Sequence, residues 1–141
     1  MSPKKRRILC VESHADTRLM LTTVLGLLDY RIVSAQTVAD GVSLAHSQRF
    51  HLYLLGDRYQ DGTNIDLCRQ LRVFDPRTPI VIYSTGIRTS EHNQAMMAGA
   101  QEYVSKPGDI IQLTERISRL VERAESSTKL AGVLDTHGCI E

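Results

Sequence analysis

The sequence has few cysteines, no long apolar run and little net charge. Its three cysteines, Cys10, Cys68 and Cys139, lie far apart, which indicates neither a metal-ligand spacing nor a disulfide framework and fits a reducing compartment. No apolar run approaches the roughly 18 residues of a membrane-spanning helix, and no signal peptide follows the charged start. The formal net charge is +1, so there is no general attraction to nucleic acid or membrane. We therefore expect a cytoplasmic protein with neither nucleic acid nor a membrane as partner.

The chain does contain a regular alternation of short apolar runs and helical patterns. Its 141 residues suit one domain. Apolar residues recur at helical spacing after each run, which predicts a strand followed by a helix, five times over. Such an alternation is typical of a parallel sheet with helices on both faces, in which sites lie beyond the carboxyl ends of the strands. The runs that predict strands are 8–11, 31–35, 52–55, 80–83 and 102–104.

Local signals mark the ends of several helices. Thr37 and Asp40 are spaced as in a capping box that opens the second helix. Gly99 stands where the end of the fourth helix favours a left-handed residue. The last helix carries an apolar stripe to Ala124, and the polar, weakly periodic residues that follow predict a tail or linker.

The residues that follow the predicted strands are polar and chemically distinctive. Glu12 and Ser13 follow the first strand, Gly56 and Asp57 the third, Ser84 the fourth, and Lys106-Pro107 lie just beyond the fifth, which contains Tyr103. Over residues 7–125 this arrangement resembles the receiver domain of bacterial response regulators. The resemblance implies a flavodoxin-like (βα)5 doubly wound sheet of strand order 2-1-3-4-5. It places a receiver-like domain at 1–126 and a C-terminal tail or linker at 127–141.

The sequence departs from that family at the phosphoacceptor site. The family has two acids after the first strand, but Ser13 is not an acid, and the family register puts Gly56 where the accepting aspartate stands. The family also has a glycine eight residues after its aspartate, and Asn64, which tolerates a left-handed backbone, lies eight after Gly56. We therefore expect Asn64 to have a positive φ. Strand alternation would point Asp57 away from the pocket, although the flexibility of Gly56 leaves Asp57 open as an alternative acceptor.

Aspartate phosphorylation needs a carboxylate nucleophile, Mg²⁺, a lysine and a hydroxyl. Of the family's three carboxylates the strict register keeps only Glu12, so we expect no cofactor and weak or absent Mg²⁺ binding. Lys106 and Ser84 remain in the pocket, and we expect Lys106 to pair with Glu12 there, in a partly exposed contact. Tyr103 occupies the position of the family's switch aromatic.

Three functions are consistent with these residues. The first is a pseudo-receiver, a non-enzymatic signal transduction module of a two-component phosphorelay that works by protein–protein contact without conventional phosphorylation. Its partner would be a histidine kinase or an output protein, bound through the face made by helix four, strand five and helix five. The second is a functional receiver that uses Asp57. The third is a flavodoxin-like cofactor-binding protein, which the acidic segment at Glu12 disfavours.

Overall fold

The structure is a computed structural model that describes residues 5–85, 89–106 and 110–138, with the side chains of the last helix described through Ala124. Pro107, part of the motif that carries the resemblance, lies outside the described residues. The elements run in the order β1 (Arg7–Val11), α1 (Ala15–Leu27), β2 (Arg31–Ala35), α2 (Val38–Ser47), β3 (Leu52–Leu55), β4 (Arg58–Tyr59), β5 (Gly62–Thr63), α3 (Asn64–Phe74), β6 (Ile80–Ser84), α4 (Thr89–Ala98), β7 (Glu102–Ser105) and α5 (Ile110–Gly138).

Five parallel strands form the main sheet, in the order β2-β1-β3-β6-β7. Apart from the short hairpin β4–β5, this is the predicted order 2-1-3-4-5, which is confirmed. Val11 of β1 is paired with Leu55 of β3, Leu55 with Ile82 of β6, and Ser84 with Ser105 of β7. This register brings the carboxyl ends of four strands to one edge of the sheet.

Two apolar clusters cover the two faces of the sheet, because successive strand side chains point to opposite faces. On one face Leu9 and Leu55 pack with buried residues of α2, α3 and α4. On the other face Cys10 and Leu54 pack with buried residues of α1 and α5. The continuous burial of β3 and β6 is typical of parallel strands covered on both sides. The sheet edge that carries the polar residues therefore rests on a rigid core.

Several helix ends follow the sequence signals, and others do not. Thr37 caps α2 by accepting from the Asp40 amide, and Gly99 has the expected positive φ of 113°. The complete capping box, however, is at α3, where Thr63 and Asp66 cap each other's backbone amides. The last helix continues to Gly138, well past its expected end, so the segment after residue 126 begins as helix. In the part of the chain that the structure describes, no helix is both long enough and apolar enough to span a bilayer.

A buried hydroxyl makes the stability of this fold depend on pH. Tyr53 Oη donates to Asp75 Oδ2 at 2.6 Å. Burial opposes ionisation of Asp75, but hydrogen bonds from Thr78 and Tyr53 outweigh it and hold the Asp75 pKa below its ordinary value. A carboxyl group with a lowered folded-state pKa contributes stability that is complete above its unfolded pKa and is lost as the pH falls through the folded pKa.

We predict that Tyr53→Phe lowers the free energy of unfolding by about 1 kcal/mol at neutral pH, because Asp75 loses one of its donors. The difference from wild type should shrink as the pH falls through the lowered pKa of Asp75, because the protonated carboxyl no longer gains from the Tyr53 donor. Urea denaturation at neutral pH and at a series of acidic pH values measures it. A difference that did not change with pH would show that the hydroxyl does not act through the Asp75 carboxylate.

Candidate functional site

An open cleft lies at the carboxyl ends of β1, β3, β6 and β7. Its volume is about 1040 Å³. The side chains that line it include four of the predicted pocket residues and the candidate acceptor, namely Glu12, Ser13, Ser84, Lys106 and Asp57, and Tyr103 lies at the β7 side. Glu12 and Ser84 are buried, whereas Ser13 is exposed.

Lys106 and Glu12 form an ion pair in this cleft. Lys106 Nζ lies 2.9 Å from Glu12 Oε1, and the His14 amide donates to Glu12 Oε2 at 3.0 Å. The predicted contact is confirmed, but it is not partly exposed, since the side chains are only 12% and 3% accessible. A pair this buried is costly to break, because removing one partner leaves an uncompensated charge; such changes typically cost about 3–5 kcal/mol.

Gly56 lies directly beside the Glu12 carboxylate. A Cβ atom on Gly56 would stand 2.6 Å from Glu12 Oε1, so a side chain at this position would point into the pocket and collide with Glu12. The Gly56 amide donates to Tyr59 Oη at 2.8 Å and to the Val11 carbonyl at 3.0 Å. Its carbonyl accepts from Asn64 Nδ2 at 2.9 Å. The close approach to Glu12 thus requires the absence of a side chain at 56.

Asp57 points into the cleft, and the expectation that it points away is wrong. Its Oδ1 atom accepts from Ser84 Oγ and from the Thr85 amide, the latter at 2.7 Å. Its Oδ2 atom accepts from Thr85 Oγ1 at 3.2 Å and lies 3.6 Å from Lys106 Nζ. The alternation argument fails because β3 ends at Leu55. Beyond that residue the backbone turns, and a side chain no longer alternates with the strand.

The expectation of a left-handed Asn64 is also wrong. Asn64 is the first residue of α3, and among the described non-glycine residues only Asp29 has a positive φ. Asn64 acts through its hydrogen bonds instead. Besides the bond from its side chain to Gly56, its amide donates to the Asp57 carbonyl at 3.2 Å. The eight-residue spacing therefore no longer supports Gly56 as the acceptor position. The support that remains is the direction of a Cβ atom on Gly56, which would point toward Glu12.

Two residues hold the loop after β3 in ways that the sequence did not indicate. Ser13 Oγ donates to the Arg58 carbonyl at 2.7 Å. The buried hydroxyl of Tyr59 donates to the Val11 carbonyl at 2.7 Å and accepts from the Gly56 amide. Burial raises the pKa of Tyr59 far above its ordinary value, so its hydroxyl keeps the proton that it donates. In the sequence, only the polar side chain at 13 and the aromatic side chain at 59 hint at hydrogen bonds here, and neither predicts which backbone groups are bonded.

The ammonium group of Lys106 is a positive charge in this cleft. Among residues 5–85, 89–106 and 110–124, no group of three or more His, Cys, Asp or Glu side chains could hold a metal ion. Lys106 Nζ lies within 4 Å of both Glu12 and Asp57, at 2.9 Å and 3.6 Å. Mg²⁺ prefers octahedral oxygen ligands, and a bound lysine between two carboxylates competes with it for the same charge. These residues do not fit a strong magnesium site.

Tyr103 connects the cleft to helix α4. Its ring packs edge-on against His92 of α4, with ring centroids 5.4 Å apart. Partial burial raises the Tyr103 pKa, and a hydrogen bond with the Ser84 side chain opposes that rise. Ser84 in turn donates to Asp57. A chain of contacts therefore runs from Asp57 through Ser84 and Tyr103 to α4.

Comparison with known proteins shows the family to which this chain is similar. The family model described as the response regulator receiver domain matches residues 8–118. The KDP operon transcriptional regulatory protein KdpE of Escherichia coli is 30% identical over 86% of this chain and 53% of its own length. The response regulator protein PilR of Pseudomonas aeruginosa is 28% identical over 81% of this chain and 26% of its length. The chain thus spans about a quarter to about half of these relatives.

Solved structures agree with this fold. A CheY-like receiver domain protein from Methanospirillum hungatei has a TM-score of 0.83 and 20% identity, covering 88% of this chain and 99% of its own. The non-phosphorylated HemR receiver domain from Leptospira biflexa has a TM-score of 0.77 and 26% identity, covering 83% and 94%. The receiver domain of the sensor histidine kinase PA1611 from Pseudomonas aeruginosa has a TM-score of 0.78 and 21% identity, covering 84% and 99%, and that protein has a magnesium ion in its active site cleft.

We predict that Gly56→Ala lowers the free energy of unfolding by about 1–3 kcal/mol, because its Cβ displaces the buried Glu12 carboxylate. Gly26→Ala is the matched control, since a Cβ there meets nothing within 4 Å and lies within α1. That change should stabilise the protein by about 0.5–1 kcal/mol. Urea denaturation compares the two variants. Equal effects of both substitutions would contradict the close approach at Gly56.

Proposed function

Because the chain belongs to the response regulator receiver domain family, we propose that it is a two-component signalling module that acts by protein–protein contact without conventional aspartate phosphorylation. One observation carries this proposal. The position that points from the end of β3 toward Glu12 is Gly56, which has no side chain to accept a phosphoryl group.

The carboxylate of Asp57, the other candidate acceptor, already accepts hydrogen bonds. Both oxygens of Asp57 accept hydrogen bonds, from Ser84 and the Thr85 amide on one side and from the Thr85 hydroxyl on the other. Phosphoryl transfer needs a nucleophilic oxygen in line with the donor, together with cationic and hydrogen-bonding groups for the phosphoryl oxygens. In this arrangement the Ser84 hydroxyl and the Thr85 amide already stabilise the negative charge of Asp57, so they do not serve phosphoryl oxygens. The geometry thus favours a module whose state is not set by phosphorylation.

The contact surface of this proposal is the face made by α4, β7 and α5. Met97 of α4 and Ile111 of α5 are large apolar side chains that are 88% and 62% exposed. Tyr103 of β7 lines the cleft and packs against His92 of α4, so it joins this region to the cleft. We propose that a histidine kinase or an output protein binds this face, and that this binding depends on the arrangement of the cleft through the position of Tyr103.

A second candidate function is that of a phosphorylated receiver with Asp57 as the acceptor. The observation that favours it is the placement of the Asp57 carboxylate, which is 28% exposed in the cleft and lies 3.6 Å from Lys106. A lysine beside the acceptor would stabilise the charge that develops during transfer. This candidate requires Asp57 to give up the hydrogen bonds from Ser84 and Thr85.

We predict that the protein gains no phosphoryl mass when it is incubated with acetyl phosphate and millimolar Mg²⁺. Gly56 offers no nucleophile, and the Asp57 oxygens are held by their donors. Intact-mass spectrometry measures the result, with the PA1611 receiver domain, treated in the same way, as a comparison. A phosphoryl group that appears on the wild-type protein and is absent from Asp57→Asn would overturn the proposal and establish the second candidate.

A further inference from the structure

We infer that the Asp57 carboxylate permanently fills the anion-binding position of the cleft. It thereby holds Ser84 and Tyr103 in the arrangement that a bound anion would produce, here called the occupied arrangement, without a phosphoryl group. This inference rests on the proposed function and adds the means by which the module is kept in one state. An anion that belongs to the chain cannot be removed by hydrolysis. The switch would therefore be constitutive.

The groups around Asp57 are those that bind an oxyanion. A hydroxyl, a backbone amide and an ammonium group approach its two oxygens from Ser84, Thr85 and Lys106. Hydrogen bonds to a charged acceptor are shorter and stronger than bonds between neutral groups. A phosphoryl group, which also presents oxygens with negative charge, would require the same kinds of donor. The carboxylate therefore satisfies the groups that would otherwise bind such an anion.

The backbone of Asp57 is fixed, which separates this carboxylate from an ordinary mobile loop acid. On one side of it, the Gly56 amide and carbonyl are bonded to Tyr59 and Asn64. Its own carbonyl accepts from the Asn64 amide. On the other side, the Arg58 carbonyl accepts from Ser13 Oγ at 2.7 Å. Side chains and backbone from the segment after β1, the segment between β3 and α3, and α3 itself thus pre-organise the carboxylate.

The occupied arrangement can be transmitted along contacts that already exist. Ser84 donates to Asp57. Tyr103 lies on β7, which pairs with the strand β6 that carries Ser84, and its ring packs against His92 of α4. Removing the carboxylate should loosen Ser84 and then the position of Tyr103. The change would thereby reach the face proposed for the protein partner.

Titration with inorganic phosphate, followed by the NMR signal of the Thr85 amide, tests the inference. In wild type, phosphate should leave this signal in place, because Asp57 excludes a second anion. In Asp57→Ala the amide and Lys106 are available to phosphate, and we expect affinity to rise by about tenfold or more, the effect of one charge-assisted hydrogen bond. Equal phosphate affinity in the two proteins would overturn the inference.

Glu91→Ala is the matched control, since it removes another carboxylate that lines the same cleft. If loss of negative charge alone mattered, it would raise phosphate affinity as much as Asp57→Ala does, and the inference would fail. We expect a change of less than about threefold, because Glu91 is only half-buried and solvent screens much of its charge. Circular dichroism and thermal unfolding confirm that each variant is folded before the titration is interpreted.

Hydrogen–deuterium exchange gives a second measurement that does not depend on phosphate. Asp57→Ala should speed exchange in β6 and α4, and Glu91→Ala should not speed exchange in β6. Unchanged exchange in Asp57→Ala would contradict the link to Tyr103. These results are independent of the phosphodonor experiment, since covalent phosphoryl mass on wild-type protein overturns the proposed function, whereas equal phosphate affinity overturns only the inference about Asp57.

Discussion

A buried ion pair between Lys106 and Glu12 sets the geometry of the cleft. Two charges that are almost fully removed from water must lie close together, and a distance of 2.9 Å meets that requirement. The position of the Glu12 carboxylate then leaves no room for a side chain on Gly56. Because the same ammonium group lies near Asp57, one lysine orders both carboxylates.

The loop after β3 is adapted to this constraint as a unit. Gly56 gives the backbone its close approach, and Tyr59 satisfies the Gly56 amide from inside the core. Asn64 satisfies the Gly56 carbonyl while it begins α3. Ser13 contributes a hydroxyl to the Arg58 carbonyl at the point where an acid would serve a metal ion. Gly56 and Asn64, which depart from the family pattern, are thus hydrogen-bonded to each other, and Ser13, a third departure, holds the same loop through Arg58. The three are better understood together than as separate losses of function.

Much of this arrangement could be predicted from the sequence, because it follows from apolar runs and their spacing. Buried strands such as 52–55 are recognisable without any partner. The strand order is what the resemblance to receiver domains implies, and the Lys106–Glu12 contact is expected once the strand ends share one edge. The direction of Asp57 could not be predicted in this way. Alternation holds only inside a strand, and Asp57 lies beyond the end of β3, where tertiary donors such as the Thr85 amide decide its rotamer. The expectation of a positive φ at Asn64 failed for a related reason, since the Asn64 side chain makes a tertiary hydrogen bond to the Gly56 carbonyl that no local propensity encodes.

The role proposed for the cleft depends on a hydrogen bond from the Thr85 amide to the Asp57 carboxylate in solution. NMR measures this directly, as a scalar coupling through the hydrogen bond between the Thr85 amide nitrogen and the Asp57 side-chain carboxyl carbon. We expect this coupling in the wild-type protein without phosphodonor or Mg²⁺, together with a downfield shift of the Thr85 amide proton. A Thr85 amide with no coupling to Asp57 and free exchange with water would contradict it.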